Sequence, residues 1–417
     1  MASILLALAL IPGCSLPFQN EMNQMDIGRE IKMLDMHRTT LDWLPEYDPY
    51  SLKTMQVDLR GYDLTRLDVH DRYYDLIHAD FDTVTKWPYW LPDNFDPKKI
   101  LNNGKNPGLG IKSLHDMGIN GKGVGVAIID DVLLPDHAEY QQALKLYEEI
   151  SCFDREASIS GCRQASILVG KSTGLAPEAD LYYIAEYCEF NQESDFSASQ
   201  PISSPVDQAS VYEPLISAIN RILEINRGLG DENKIRVICI GQDIPKNYSG
   251  YFRVEQAVKM AENAGIFVIS TSLYETSGYE MDFNGLGRNP FKDPDDPAQY
   301  LPGHNWEYDL YTFGRYVHTV EGLLVPMDSR TAAAPTGKKQ YAYYSESDRS
   351  LCIPFIGGLY ALACQVNPTI TPDLFWEMAL KTGDTIKVER NNITFTYKKV
   401  VNPVKLIEEI KGNQTKK

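Results

Sequence analysis

The sequence predicts an α/β chain built on a doubly wound parallel sheet. Three observations carry this prediction. The stretch Gly121 to Asp131 reads GKGVGVAIIDD: a Gly-rich turn, a continuous apolar run from Val124 to Ile129, and two acids. A short run rich in Val and Ile reads as a strand buried on both faces, in the centre of a parallel sheet. Further apolar runs, at Leu181 to Ile184, Ile235 to Ile240 and Ile266 to Ser270, alternate with helix-like segments, and that alternation predicts strand–helix–strand units. Finally, Asp130 closes the first run, where open α/β sheets hold their sites. An acid that ends a strand or caps the next turn is the plainer reading of the same residue.

The elements follow in order. Ile111 to Met117 has helical spacing and stops at Gly118, before the organising strand. Leu144 to Ile150 reads as a helix, and Ala165 to Val169 as another helical turn or two. Leu181 to Ile184 reads as a strand. Pro214 to Arg227 is an amphipathic helix with Leu215, Ile219, Ile222 and Ile225 near one face. Ile235 to Ile240 is a strand, Val254 to Asn263 a helix closed by Gly265, and Ile266 to Ser270 the next strand.

At 417 residues, 43% of them hydrophobic, the chain can bury a large core, as one large domain with a smaller region attached. A net charge of −17 argues against a nucleic-acid partner, whose phosphates require a basic patch.

The chain opens MASILLALALIPGC, an apolar run too short to span a bilayer and fitted to the core of an export signal. A small residue before a Cys at the end of such a run resembles the bacterial lipoprotein signal, although no Lys or Arg precedes it. That resemblance implies lipidation at Cys14 and an extracytoplasmic, membrane-anchored protein, with membrane contact only through the anchor; a plain signal peptide implies secretion. Residues 15 to 106 form a polar, aromatic-rich extension. In it DLRGYDLTRLD repeats Asp-Leu at an interval of five, and KWPYWLPDNFDP reads as an extended strap lying over another surface. The main domain is expected over residues 107 to 417. Of the remaining cysteines, Cys152 and Cys162 are the candidate disulfide pair, while Cys239 and Cys364 sit in apolar runs as buried thiols.

Several segments together resemble the subtilisin-like serine peptidase family. GIKSLHDMGINGKGVGVAIIDD is similar to that domain's opening helix, turn, strand and catalytic aspartate. TGLAPEADLYYI, RVICIG and AGIFVIS resemble its following strands, YAYYSESDRSLCIPFIGGLYALA its nucleophile segment, and KVVNPVKLIEEI its closing strand and helix. The resemblance covers roughly residues 107 to 410. It implies a doubly wound parallel sheet of subtilisin type, with the catalytic Asp on Asp130 and the nucleophile on Ser350. Asp348-Arg349 stand where the family has Gly-Thr. An ordinary helix N-cap is the plainer role for Ser350.

The base is replaced. The family's His-Gly-Thr-His-Val-Ala segment matches SGCRQAS, which puts Ser160 at the catalytic His position and Arg163 at the second His position. Ser has no pKa suited to general base work near neutral pH. The oxyanion Asn position falls near Tyr274. Loss of one oxyanion donor costs about 10²–10³ in rate, and loss of the base on the order of 10⁶. Substitutes for the base are His137, His304 or His318, or, in the related sedolisin arrangement, Glu156 with Glu275. The resemblance places specificity near Gly241 and Gln242 and in the loop after Ser272.

The expectation is therefore an exported subtilisin-fold pseudopeptidase that binds a peptide or protein ligand. The alternative is an active serine endopeptidase with a relocated base. No phosphate-cradling or metal-ligand pattern implies a cofactor. Calcium is common in the family, and DPDDPAQ (Asp293 to Gln299) is an acidic loop that could host it or simply be solvated.

Overall fold

In the computed structural model, residues 29–187, 210–273, 282–304, 306 and 322–414 are described, apart from 37, 52, 243, 245, 247–249 and 391–392. The lead-in supplies β1 (Val57–Asp58) and β2 (Ala79–Asp82), with helices Tyr73–Ile77 and Pro97–Lys105. The central sheet holds β3 (Gly125–Asp130), β4 (Leu144–Ile150), β5 (Asp180–Glu186), β6 (Ile235–Ile240) and β7 (Phe267–Ile269). Its order is β4-β5-β3-β6-β7, and every pairing is parallel. The chain thus winds to one side of β3 and then to the other.

Alternate residues of these strands enter two different cores, as period-two side chains must when both faces are covered. Val126 and Ile128 of β3 face one core, with the helices Ile159–Val169 and Cys352–Val366. Ala127 and Ile129 face the other, with the helices Glu213–Gly228 and Tyr251–Asn263. The doubly wound sheet expected from the sequence is present. The helix Cys352–Val366 lies so close to it that a Cβ on Gly357 would stand 2.4 Å from Cys239 Sγ. The 18 residues Arg349–Val366 are apolar enough to cross a membrane by length and composition, but this is the core helix and is mostly buried.

Beyond this sheet come β8 (Phe283–Arg288), β9 (Tyr300–Pro302), β10 (Leu323–Pro326), β11 (Arg330–Ala333), β12 (Tyr341–Tyr344), β13 (Asp384–Arg390) and β14 (Ile393–Val400). They form a sheet β13-β14-β10-β8-β9 and, with the lead-in, a sheet β1-β2-β12-β11. Antiparallel pairing of β2 with β12 joins the lead-in to the body. It brings its own core, in which Val57, Leu64, Leu76 and Phe81 pack with Tyr343. The strap reading of KWPYWLP holds only in part: Trp87 packs edge-on to Phe81, whereas Tyr89 and Trp90 are exposed.

One element differs in kind from its sequence reading. Leu144 to Ile150, expected as a helix, is the edge strand β4. Its register with β5 shifts between Leu144 and Leu146. The irregularity puts Leu144 and Tyr147, three apart, into the same core, while Leu146 and Ile150 pack toward the other. A spacing of three is what a helix would show, so a bulged edge strand imitates one.

Candidate functional site

The site gathers at the carboxyl ends of β3, β5 and β6. Asp130 ends β3 and is fully buried. Its Oδ1 accepts a hydrogen bond from Asp131 N at 2.7 Å, and its Oδ2 accepts one from Ser160 Oγ at 3.0 Å. Burial, the largest influence, pushes its carboxyl up to about 7.

Ser160 lies in the first turn of the helix Ile159–Val169. That helix begins there because Ser158, in extended conformation, accepts a hydrogen bond from Gly161 N at 2.9 Å. One turn on, the Gln164 amide donates to the backbone carbonyl of Ser350 at 3.0 Å. Its Oε1 is buried and has no partner among the described residues. Arg163, almost wholly buried, sets its guanidinium 5.1 Å from the Tyr344 ring centre and 3.8 Å from Asp348 Oδ2. Arg163 and Asp348 were each singled out in the sequence as departures from the family pattern, and the fold brings them together. Gln164 had no signal beyond its spacing of four from Ser160.

Ser350 sits in a 3₁₀ turn, Arg349–Leu351, ahead of the helix Cys352–Val366. It is not a helix cap. Asp348 is the cap, accepting from Ser350 N at 2.8 Å. The Ser350 hydroxyl makes no hydrogen bond among the described residues. Arg349 turns away from Ser350, donating to Phe283 O at 3.0 Å.

Gly241 follows β6 and donates to Ile129 O at 3.0 Å. A Cβ there would lie 1.9 Å from Asp130 Oδ2, so only glycine leaves the buried carboxylate its place. Gln242 donates from its amide to Glu186 O at 3.1 Å. Gly241 thus borders Asp130, while Gln242 lies against the end of β5.

The substitute bases are placed as follows. His137 is buried; its Nδ1 accepts from Glu139 N, and its Nε2 faces the Gln340 carbonyl at 2.9 Å. Burial also pushes its imidazole below its usual range. Both nitrogens are committed, so His137 is a structural residue. His304 faces Ser51 O, Tyr47 and Glu346 instead of Ser350. Glu156 is exposed and makes no hydrogen bond among the described residues. Tyr274, Glu275, His318 and Cys14 lie outside the described residues.

Cys152 and Cys162, the candidate disulfide pair, are separate buried thiols, pushed up by burial to about 12 and about 11. Each has its own contact: Cys152 Sγ with Ile150 O, and Cys162 Sγ with the Tyr140 hydroxyl. Cys239 and Cys364 are buried thiols as expected. In the acidic loop, Asp295 accepts from Gly110 N and Asn106 Nδ2, both at 2.8 Å, and Asp296 caps the turn Pro297–Gln299. Among the described residues no group of three or more His, Cys, Asp or Glu side chains converges on a metal position.

No protein-family model matches the sequence, and no curated protein matches it. Among solved structures the chain is similar to the prenylagaramide maturation protease PagA, at 15% identity over 73% of this chain and 99% of that one, with a TM-score of 0.44. It is also similar to the A-subunit of the AB5 toxin from E. coli, at 14% identity over 74% and 99% of the two chains, with a TM-score of 0.46. The PatG macrocyclase in complex with peptide is similar at 16% identity over 73% and 96%, with a TM-score of 0.45.

Proposed function

We propose that this chain is a subtilisin-fold pseudopeptidase that binds a peptide or protein ligand at the carboxyl ends of β3, β5 and β6. One observation carries the reading: the Asp130 carboxylate oxygen that would orient a catalytic imidazole accepts instead from Ser160 Oγ. A hydroxyl can donate to Asp130 but cannot take a proton from Ser350 near neutral pH. None of the described histidines hydrogen-bonds to Asp130 or Ser350. Three further observations support the reading. The Asp ends the central strand, the helix with Ser160 packs beside it, and Ser350 lies in the turn ahead of the helix Cys352–Val366. A scaffold with this arrangement, and with no histidine bonded to Asp130 or Ser350 among the described residues, is suited to holding an extended peptide without cleaving it.

The reading includes export, with Cys14 as the anchoring residue. Radiolabelled fatty acid incorporated by the wild type and lost in Cys14→Ala supports the anchor, and equal incorporation refutes it. For the site itself the test is hydrolysis of a fluorogenic peptide library. The expected result is no turnover above that of Ser350→Ala. Turnover abolished by Ser350→Ala would establish the alternative, a working endopeptidase with a relocated base.

A further inference from the structure

We propose that a second cavity, between the lead-in and the body, binds one neutral hydroxylated ring of monosaccharide size. It is separate from the Asp130–Ser350 site and independent of the reading above. Its polar wall joins Tyr47 and His78 of the lead-in to Arg288, His304, Asp328 and Glu346 of the body. The volume is about 230 Å³, below the roughly 300–1,000 Å³ of drug-sized sites, and so suits a single ring.

The charged groups of the wall are engaged in hydrogen bonds with their surroundings. Glu346 Oε1 accepts from the Tyr47 hydroxyl and lies 3.2 Å from His304 Nδ1 and 3.5 Å from His78 Nδ1. Asp328 accepts from the backbone N–H groups of His304 at 2.9 Å and Ser347 at 2.8 Å. Arg288 donates to the carbonyls of Asn289, Asn103 and Ser329, among others. The wall thus holds both signs of charge, Arg288 as well as Asp328 and Glu346, and does not single out an ion of one sign.

Hydrogen-bonding edges are left. Glu346 Oε2 and His78 Nε2 have no partner among the described residues, and both side chains line the cavity. Glu346 is only 5% exposed. Its Oε2 is open to the cavity, where a donor can reach it. Beside these edges the Tyr47 and His78 rings stack at 3.9 Å with planes 4° apart, and Leu301 and Pro302 add apolar surface. A carboxylate and an imidazole next to the apolar Ile77, Leu301 and Pro302 match vicinal hydroxyls on a ring whose C–H face needs an apolar surface.

The test is saturation-transfer NMR on the full chain with glucose, galactose, mannose and N-acetylglucosamine. Saturation is expected on the ring protons of at least one sugar. The affinity should fall about tenfold or more in Glu346→Gln and in His78→Ala. His78 is partly exposed, so its variant keeps the fold measurable by circular dichroism even if Glu346→Gln is destabilised. No transfer to any of the four sugars, or transfer unchanged in His78→Ala, overturns the proposal.

Discussion

Ser160 Oγ donates to Asp130 Oδ2 at 3.0 Å, so the buried carboxylate of the central strand is satisfied by a hydroxyl. Restoring an imidazole by Ser160→His should leave fluorogenic peptide hydrolysis at background. The Ser350 turn would still be pinned by the Asp348 cap, the Arg163 contact and the Gln164 bond to its carbonyl. Strong hydrolysis by this single variant would show that the base alone is missing.

The pH dependence of stability has a defined sign. Asp130 and Asp80 are both fully buried, and desolvation pushes each up to about 7. In the unfolded chain an Asp titrates near about 3.9. Between these limits each folded-state carboxyl keeps a proton that the unfolded chain has lost, so the contribution of these two groups to stability falls as pH rises from about 4 to 7 and levels off above that. Each group contributes at most about 1.4 kcal/mol per pH unit to the slope. Urea unfolding at several pH values across this window should show a shallower fall in Asp130→Asn, and again in Asp80→Asn. Slopes equal to the wild type would contradict the burial argument.

Gly241→Ala should be strongly destabilising. Its Cβ would stand 1.9 Å from Asp130 Oδ2 and 3.1 Å from Gln164 Nε2, and both neighbours are fully buried and cannot swing away. Overpacking of this kind typically costs about 1–3 kcal/mol, readable as a shift of the urea midpoint. A neutral substitution would mean that Asp130 is free to move.

Gln164→Met should separate local order from global stability. It removes the donor to the Ser350 carbonyl but also the buried Oε1, which has no partner among the described residues. The two changes oppose each other, so the global loss should stay below about 1 kcal/mol. Hydrogen exchange should rise at residues 349–352 and remain unchanged in β3. Unchanged exchange at 349–352 would remove Gln164 from the site.

The central strands were legible because burial on both faces writes itself as an uninterrupted apolar run: β6 spans Ile235–Ile240, as the sequence reading places it. The helix Glu213–Gly228 was legible from its apolar stripe. β4 was not, because its bulge mimics helical spacing. The short strands of the lead-in were not either. β2 has four residues and finds its partner in β12, across more than 250 positions of chain, and nothing local announces such a pairing. Asp130, Ser160 and Ser350 were readable as positions. The Gln164 and Arg163 links between them, and the capping role of Asp348, exist only once the helix Ile159–Val169 lies against the Ser350 turn.

The most direct measurement is fluorophosphonate labelling of the folded chain, with Ser350→Ala as the control and intact mass as the readout. With Ser160 occupying Asp130 and no imidazole bonded to Ser350 among the described residues, no adduct should form at Ser350 on a protein shown to be folded by circular dichroism. A stoichiometric adduct on the wild type, absent in Ser350→Ala, would contradict the account, because only an activated serine reacts in this way.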